Sequence, residues 1–530
     1  MRSTFYGLDI VNKGLFVAQR QIDVTGHNIS NANTVGYSRQ RFVTSAVPPP
    51  GSRQQFAPVT KGQVGAGVET MSLDQIRDRF LDRQLRHEQT KANYWQTKSN
   101  ALYYIEDVFN GEHDTSLVGI MGSFFNAVQE LTKNPTDEAI RTNMIQEARK
   151  MIDVMHANYA QLKDLMYQQD YALVQQVNSI NEISQKIADL NENIFKYEQG
   201  GNVANDLRDT RNLLLDRLST LVDMQYKEVG TGKYNINGIE LTTMEVTIGL
   251  DNEPLVVHTD FRRLYADQNH SNHVTDAMDK AEALPDESKL HLIRFEDDDT
   301  QLYVGGGSIK GYIDIRDGHE RDNQGIPYFI AQLDELAKAL VETFNEIHEQ
   351  GWTVPYTDRN GVFFESATGI PFFAVDGLES ATIRLSDEIL ASGFNIAASS
   401  QVVERVRNTD ENPEGVWHFN TGNNEIALRL ISEVKGRNDI PIIGSFEGFY
   451  KSFISELAAE VGHAKQMDIA EQVLVDSLES QRLSVMGVSI DEEMTNLIRF
   501  QHAYNAAARA ITSMDDLLEV LINRTGRAGL

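Results

Sequence analysis

Two short segments of the sequence carry residue types that metal or phosphate sites use. His348-Glu349-Gln350-Gly351-Trp352 begins like the helical zinc motif of metalloproteases, in which two histidines four residues apart bind the ion. Trp352 stands at the second histidine position, so the segment cannot present two imidazoles to one metal. Gly230-Thr231-Gly232-Lys233-Tyr234 contains part of a phosphate-binding loop but lacks its earlier glycine and the hydroxyl residue after the lysine. We interpret this segment as a turn leading into a β-hairpin.

Three further segments are weaker candidates for chemistry. Gly305-Gly306-Gly307 follows a predicted strand, but the residues after it do not predict the helix that a dinucleotide site requires. Asp358-Arg359-Asn360-Gly361 matches the middle of a calcium loop, whereas Tyr356 and Ala367 stand where its first and last oxygen ligands belong. Asp297-Asp298-Asp299 is interpreted as a solvated acidic turn. The sequence therefore predicts no catalytic, metal or cofactor site, and a protein that is not an enzyme.

The composition disfavours several other classes of function. The 530 residues are enough for about three to four domains. Lys and Arg number 48 against 77 Asp and Glu, and the net charge of -29 without an evident basic cluster argues against nucleic-acid and anionic-membrane partners. The absence of cysteine excludes disulfides, thiolate nucleophiles and Cys-ligated metals. No apolar run approaches the roughly 18 residues of a membrane span, and Met1 to Ile10 lack the features of a secretory signal.

Both ends of the chain predict a helix with an apolar, coiled-coil-like seam, in which apolar residues recur at spacings of three and four. The seam residues are Leu8, Val11, Leu15, Ala18 and Ile22 at the N-terminal end, and Leu497, Phe500, Tyr504, Ala507, Ile511, Met514, Leu518 and Leu521 at the C-terminal end. Ser489 and Glu492 form a possible capping box, and Arg524 and Gly526 mark the helix end. Burial of a seam only about balances the backbone entropy of its helix. We therefore expect the termini to be mobile in the free chain and ordered by neighbouring molecules.

The region between the termini predicts a long helical body. Thr136 to Gln199 contains neither Gly nor Pro, which indicates one helix of about 60 residues and roughly 90 Å. Leu207 to Met224 predicts a second helix that folds back after Gly200-Gly201. Leu333 to His348 and Phe446 to Met486 are also predicted to be helical.

The middle of the chain changes to the period of β-structure. Asn237-Gly238 and Asn360-Gly361 predict hairpin turns, and Val246–Val257, Leu290–Phe295 and Leu302–Val304 predict strands. The predicted fold is α+β and multidomain, with paired terminal helices, a long helical-bundle body and β-rich central domains. The predicted division assigns 1–85 with 487–530 to a terminal helical assembly domain, 86–225 with 326–350 and 436–486 to the body, and 226–325 with 351–435 to a β-rich outer region.

One segment near the N-terminus has a recognisable signature. Gly26-His27-Asn28-Ile29-Ser30-Asn31-Ala32-Asn33-Thr34-Val35-Gly36-Tyr37-Ser38-Arg39-Gln40 resembles the N-terminal motif of the rod, hook and hook-associated proteins that form the axis of bacterial flagella. Its asparagines can end a helix and accept turn conformations, and Gly36 permits a tight bend. The residues that carry this resemblance are Asn28, Asn31, Asn33, Thr34, Gly36 and Tyr37. Gly487 to Tyr504 is similar to the C-terminal helix of the same families.

Two internal segments resemble one of these families. Ala204-Asn205-Asp206-Leu207-Arg208-Asp209-Thr210-Arg211 and the helix Leu333 to His348 are similar to hook-associated protein 1, the family of hook–filament junction proteins. Arg208 and Thr210 depart from the commoner Leu and Gln. The resemblance implies export through the flagellar type III channel and a secreted, extracellular place in the flagellum.

The same resemblance implies a set of partners. It implies self-association in a ring or short helical layer, contacts with the hook protein and with a second junction protein or filament subunits, and an export chaperone for the C-terminal helix. Neither nucleic acid nor membrane is among the expected partners. The alternatives are a hook or filament subunit, or a flagellar surface adhesin or enzyme whose site lies within residues 226–435.

Overall fold

The structure is a computed structural model that describes residues 5–49, 65–110, 116–267, 290–357, 361–408, 412–419, 422–435 and 445–524. Its α-helices are α1 Tyr6–Ser30, α2 Arg79–Phe109, α3 Leu117–Lys133, α4 Glu138–Gln199, α5 Asn205–Leu221, α6 Gly307–Asp317, α7 Ile326–His348, α8 Asp387–Ala391, α9 Glu425–Arg429, α10 Phe446–Met486 and α11 Ile490–Arg524. The strands are β1 Gln40–Ala46, β2 Val68–Gln75, β3 Met224–Tyr234, β4 Glu240–Ile248, β5 Glu253–Val257, β6 Asp260–Phe261, β7 Leu264–Asp267, β8 Leu292–Phe295, β9 His319–Glu320, β10 Asn323–Gln324, β11 Tyr356–Thr357, β12 Phe363–Phe364, β13 Val402–Asn408 and β14 Asn412–Phe419. These long helices and small antiparallel sheets confirm the predicted multidomain α+β fold.

Helix α4 is the longest element and confirms the prediction of one uninterrupted helix. It has 62 residues, which at 1.5 Å per residue span about 93 Å. Asp137 caps its N-terminus, because a carboxylate oxygen accepts a hydrogen bond from the amide of Ala139 at 2.8 Å. At the other end Gly201, with a φ of +80°, turns the chain into α5.

The first half of α4 belongs to a large helical core. Met151 of this half has no exposed surface and packs with residues of α2, α3, α7, α10 and the segment 370–398. Aromatic rings fill the centre: the centroid of Phe344 lies 4.8 Å from that of Phe372 and 5.6 Å from that of Phe124. Residues from the predicted outer region therefore share a core with the predicted body.

The second half of α4 belongs to a separate core. Ile180 and Ile187 of α4 are buried against α5, α6 and the four-stranded antiparallel sheet of order β3–β4–β5–β6. Val246 of β4 and Leu255 of β5 are fully buried on the side of the sheet that faces the helices. The long helix thus joins two cores, and this grouping cuts across the predicted domain division.

Helices α2 and α10 form an antiparallel pair. Lys98 Nζ lies 2.8 Å from a carboxylate oxygen of Glu460, and Arg482 NH1 lies 3.8 Å from a carboxylate oxygen of Asp82. The start of α2 therefore lies beside the end of α10, and the two helices run in opposite directions. The predicted boundary between residues 85 and 86 falls within the continuous helix α2. Within the described residues, no helix has an apolar stretch long enough to cross a membrane.

Both predicted hairpins form, but two strand predictions are wrong. Tyr234 pairs with Glu240 across the Asn237-Gly238 turn, and β11 pairs with β12 around Gly361, while Asn360 lies outside the described residues. Val246–Val257 is not one strand, because Gly249 and Asn252 adopt positive φ angles of 74° and 55° and turn the chain between β4 and β5. Leu302–Val304 is not a strand, since only the neighbouring Gln301 forms a bridge, to Arg294.

The two glycine-rich predictions also need correction. Gly230 to Tyr234 continues β3 through an irregular register instead of forming a turn. Gly305-Gly306-Gly307 does lead into a helix, α6, which begins at Gly307 with a φ of +85°. A carboxylate oxygen of Asp223 accepts a hydrogen bond from the Gly305 amide at 3.0 Å. An acidic side chain therefore already lies where a phosphate would meet the N-terminus of this helix.

His348 is a buried core residue. Its Nδ1 lies 2.7 Å from the carbonyl oxygen of Ile370, and its Nε2 lies 2.8 Å from the amide nitrogen of Ala397. Because the carbonyl can only accept and the amide can only donate, Nδ1 carries the proton and the imidazole is neutral. Burial lowers the pKa of His348 from 6.5 to about 4.

This burial predicts a pH-dependent stability of the helical core. Because the pKa of His348 is lower in the folded chain, the unfolded chain binds more protons between pH 6.5 and about pH 4. The stabilisation from neutral His348 is complete above pH 6.5 and is lost as the pH falls towards 4, with a slope of at most about 1.4 kcal/mol per pH unit. Urea unfolding of the wild-type chain and of His348→Gln across this range measures the slope. The variant should be less stable at pH 6.5 but should have the shallower slope, and equal slopes would contradict the assignment.

Candidate assembly site

Helices α1 and α11, which carry the predicted seams, pack against each other within one chain and are called the terminal pair below. A Cβ atom on Gly7 would lie 3.1 Å from Met514 Cε, and Asn28 Nδ2 lies 3.1 Å from Glu493 Oε2. These two contacts are 21 residues apart on each helix, from 7 to 28 and from 514 to 493. The helices therefore run antiparallel in one register over about 32 Å. This arrangement confirms that the two ends of the chain lie together.

The predicted seam residues are buried or partly buried wherever the structure describes their side chains. In α1, Ala18 is buried and Leu8, Val11, Leu15 and Ile22 are partly buried. In α11 the partly buried residues include Leu497, Phe500, Tyr504, Ala507, Ile511, Met514 and Leu518, while the side chain of Leu521 lies outside the described residues. Helices α1 and α11 contact each other in the single chain, and the predicted mobility of the free termini stays a prediction. Since two helices share a single side, neither seam is sealed completely.

The opposite faces of the terminal pair expose large apolar side chains. Phe16 of α1 is 58% exposed, and Ile498 and Leu517 of α11 are 52% and 65% exposed. Contiguous exposed apolar surface commonly marks an interaction site, and both helices of the terminal pair contribute large exposed apolar side chains. These side chains, together with the incompletely covered seams, are apolar surface that remains exposed in the single chain.

Asn28 connects the terminal pair to the following strand. Its Nδ2 donates to the carbonyl oxygen of Gln40 at 2.9 Å and to Glu493 at 3.1 Å. Its Oδ1 accepts from the Gln40 amide at 3.0 Å and from the Tyr37 hydroxyl at 2.8 Å. The side chain is 1% exposed, and its amide makes all four hydrogen bonds available to it. Only an amide can both donate and accept in this way.

Tyr37 and His27 extend this contact towards α5. The Tyr37 hydroxyl gives its proton to Asn28, so His27 Nδ1, 3.0 Å away, must donate to the hydroxyl oxygen. His27 Nε2 lies 3.6 Å from a carboxylate oxygen of Asp206. Burial and the nearby charges of Asp206, Asp209 and Glu493 raise the pKa of Tyr37, which keeps its hydroxyl protonated as a donor.

The other motif residues shape the turn that follows α1. Asn31 ends the helix, and its side chain donates to the carbonyl oxygen of His27 at 3.0 Å. Thr34 donates to the Asn31 side chain at 3.2 Å, while Asn33 is exposed. Gly36 has a φ of +82°, which confirms the predicted tight bend before β1.

Arg39 binds the acidic beginning of α11. Its Nε lies 2.7 Å from Glu493, and its NH1 lies 2.8 Å from Glu492. The Arg39 amide also donates to the carbonyl oxygen of Met486, the last residue of α10. Half of the predicted capping box forms, since the Glu492 amide lies 3.5 Å from Ser489 Oγ while its carboxylate pairs with Arg39.

The loop after α1 is also held by the beginning of α5. Asp209 accepts from the Ser38 amide at 2.9 Å and from the Ser38 hydroxyl at 2.6 Å. Asp206 accepts from the Gln40 side chain at 2.8 Å. Three of the four segments that carry the resemblance thus meet at one place, which we call the base network: Gly26–Gln40, Ala204–Arg211 and Gly487–Tyr504. The fourth, Leu333–His348, lies in the helical core.

Arg208, which departs from the commoner residue, has a structural role of its own. It makes a bidentate contact with Glu198 at 3.0 Å and approaches Glu228 at 2.6 Å. Arg211 lies 3.0 Å from the same Glu228 oxygen. Although burial opposes ionisation, the charges of Arg208 and Arg211 hold the pKa of Glu228 below its ordinary value. Arg208 therefore ties Glu198 at the end of α4 to Glu228 of β3.

Ser38, Arg39 and Glu493 were not predicted as contact residues. Ser38 and Arg39 lie inside the quoted motif, and Glu493 lies in the acidic first turn of α11, so the opposite charges were the available signal. Their pairing could not be inferred, because Arg39 and Glu493 are 454 positions apart.

The segments first considered for chemistry lie elsewhere. His348 is in the helical core, and the Asp297–Asp299 turn is exposed but pairs with Arg262, whose Nε lies 2.7 Å from Asp297. Asp358–Asn360 lie outside the described residues. Over the described ranges, no group of three or more His, Asp and Glu side chains is placed to hold a metal ion.

Three family models match the chain. The helical domain of flagellar hook-associated protein FlgK matches residues 102–364. The C-terminal model of the flagellar basal body rod FlgEFG proteins matches residues 479–524. The family model named flagella basal body rod protein matches residues 13–37. The latter two matches fall on α11 and α1, the helices of the terminal pair.

Similar proteins cover the chain from end to end. Flagellar hook-associated protein 1 of Bacillus subtilis (strain 168) is 30% identical over 548 aligned residues, which cover 100% of both chains. That of Escherichia coli (strain K12) is 24% identical over 96% of this chain and 98% of its own length. The solved structure of the flagellar hook junction protein FlgK from Burkholderia pseudomallei covers 76% of this chain and 100% of its own, with a TM-score of 0.56 and 16% identity, a likeness of fold alone. The chain belongs to the flagellar hook-associated protein 1 family.

Proposed function

We propose that this chain is a structural subunit of the bacterial flagellum that joins the hook to the filament. The observation that carries the proposal is the terminal pair, whose seams are only partly covered and which exposes Phe16, Ile498 and Leu517 on its outer faces. The end-to-end similarity to hook-associated protein 1 supports this role over that of a hook or filament subunit. A junction subunit should stop at short layers, whereas a filament subunit should grow long fibres alone.

The terminal pair, within residues 1–85 and 487–530, is the proposed assembly domain. Neighbouring copies would cover its outer faces, and burial of the three side chains, which are already partly covered, would contribute on the order of 3–5 kcal/mol per subunit before the costs of association. The base network fixes the direction in which the pair leaves the body, because it contacts α5 and the end of α10. The rest of the chain would carry the acidic surface into solvent.

The family also indicates the partners and the location. As a member of it, the chain associates with other flagellar components. Its proposed neighbours are further copies in a ring or short helical layer, the hook protein on one side, and a second junction protein or filament subunits on the other. We place it outside the cell after type III export. Leu517 and Val520, 65% and 44% exposed, would favour a chaperone on α11 before assembly.

A charge in the seam tests the role of the terminal pair. Ile511→Asp places a carboxylate in the partly buried seam without a cation and should prevent incorporation into flagella, while α4 and both cores stay folded. Ser513→Asp adds the same charge at an exposed position of α11 and should incorporate normally. The measurement is the amount of each protein at the hook–filament boundary of isolated flagella, detected by antibody labelling, together with circular dichroism of the purified chains. Normal labelling with Ile511→Asp would refute the role, and labelling of the wild type elsewhere in the flagellum would refute the function.

A change at Asn28 tests whether the base network holds the pair. Asn28→Asp replaces the donor that faces Glu493 and the Gln40 carbonyl by an acceptor, which should cost about 3 kcal/mol. Hydrogen exchange of α1 and α11 should then be on the order of 100-fold faster, with no change in the buried part of α4. Asn33→Asp, in the exposed part of the same turn, is the control. Equal exchange in the two variants would show that Asn28 does not hold the pair.

A further inference from the structure

Between the helical core and the base network, α2 and α10 pack against each other as a two-helix segment. The small apolar cluster of this segment contains residues of these two helices alone. The covered positions recur along both helices at spacings of three and four, as in a coiled-coil seam. They are Leu81, Leu85, Glu88 and Ala92 on α2, and Ala464, Asp468, Glu471, Val475 and Leu478 on α10. Three carboxylates therefore lie at positions where such a seam normally buries apolar side chains.

Glu471 is the most deeply buried of these three carboxylates. It is 9% exposed, and its Oε2 atom is buried without a hydrogen-bond partner among the described residues. The side chain that meets it across the seam is Glu88 of α2. Ionised carboxylates only accept hydrogen bonds, so a hydrogen bond between these two side chains requires one proton. Without that proton, two like charges would face each other in a largely covered seam.

The nearby cation pairs with Glu88 and leaves Glu471 without one. Lys91 Nζ lies 3.1 Å from Glu88 Oε2 and 3.3 Å from its Oε1, and the Lys91 side chain is 43% exposed. The charged groups around Glu471 are thus Glu88 and Lys91 of α2, and Asp468 one turn earlier on its own helix. In the part of the chain that the structure describes, no three acidic or histidine side chains are placed to hold a metal ion. A proton is the cation that fits a pair of carboxylates.

The electrostatics of the seam favour the protonated pair. Burial, together with the hydrogen bond and the charge of Glu88, raises the pKa of Glu471 above its ordinary value of 4.5, while Lys91 acts in the opposite direction. Burial also raises the pKa of Asp468. Because the pKa of Glu471 is higher in the folded chain, the stabilisation from its proton is complete below pH 4.5 and is lost as the pH rises through the folded-state pKa. This pH dependence has the opposite sign to that of His348.

This part of α10 leads directly to the terminal pair. Helix α10 ends at Met486, whose carbonyl oxygen accepts a hydrogen bond from the Arg39 amide at 2.9 Å, and α11 begins at Ile490. One turn before that end, Arg482 lies 2.7 Å from a carboxylate oxygen of Asp216 of α5. The firmness of the contact between α2 and α10 therefore affects how firmly the body holds the base network.

We propose that Glu88 and Glu471 share one proton and that loss of this proton loosens the contact between α2 and α10. The pair is then a pH-sensitive joint between the helical core and the terminal pair. It is closed while the proton is held, and repulsion between the two carboxylates opens it once the proton has passed to solvent. The inference goes beyond the proposed function and does not depend on it.

Hydrogen exchange of the purified full-length chain between about pH 5 and pH 8 tests this joint. After correction for intrinsic rates, peptides from residues 465–485 should lose protection as the pH rises, by up to about tenfold per pH unit, because opening releases one proton. Glu471→Gln, whose amide donates to Glu88 at every pH, should keep this protection constant. Asp476→Asn is the matched control, since it removes an exposed carboxylate of the same helix and should follow the wild type.

Two further variants and one spectrum assign the proton to the pair. Glu88→Gln should flatten the slope as Glu471→Gln does, whereas Asp468→Asn should retain it. Infrared difference spectra of the wild-type chain over the same pH range should show the loss of a protonated carboxyl band that Glu471→Gln lacks. Protection of the wild type that does not change with pH, an unchanged slope in Glu471→Gln, or loss of the slope in Asp468→Asn would overturn the proposal. Absence of the infrared band from the wild type would overturn it even if the glutamine variants failed to fold.

Discussion

The side-chain amide of Asn28 is the interaction on which the arrangement of the terminal helices depends. It binds both backbone groups of Gln40, the hydroxyl of Tyr37 and the carboxylate of Glu493. Through these bonds one buried side chain joins α1, the strand that follows it and the first turn of α11. The register of the terminal pair follows, since the contact between Gly7 and Met514 lies three heptads further along both helices.

The base network relies on opposite charges in a strongly acidic chain. Arg39 binds the two carboxylates at the start of α11, and Arg77 lies between Asp82 of α2 and Asp209 of α5. These cations are largely buried, so their ion pairs are screened less by salt than pairs on the surface. They tie the terminal pair to α2 and α5 at the base network.

The sequence predicted the helices well because their signal is local. The heptad seams, the 62-residue helix α4 and the bounds of α10 follow from apolar periodicity and from the positions of glycine and proline. Strands were predicted less well, since Gly249 and Asn252 divide the predicted strand Val246–Val257 at turn-forming residues that were not given enough weight. The helix after Gly305-Gly306-Gly307 was missed because its partner, Asp223, lies 82 positions earlier in the chain. The base network was invisible for the same reason, because Arg39, Glu493 and Asp209 meet only after folding.

We propose that α1 and α11 of one chain form the unit that assembles. Cryo-electron microscopy of the hook–filament boundary in isolated flagella would show this unit in place. We expect antiparallel α1 and α11 of the same copy in the inner wall of the tube, with Asn28 beside Glu493 and with Phe16 and Ile498 covered by neighbouring subunits. Separated terminal helices, or a pair that lies on the outer surface with its apolar faces in solvent, would contradict it.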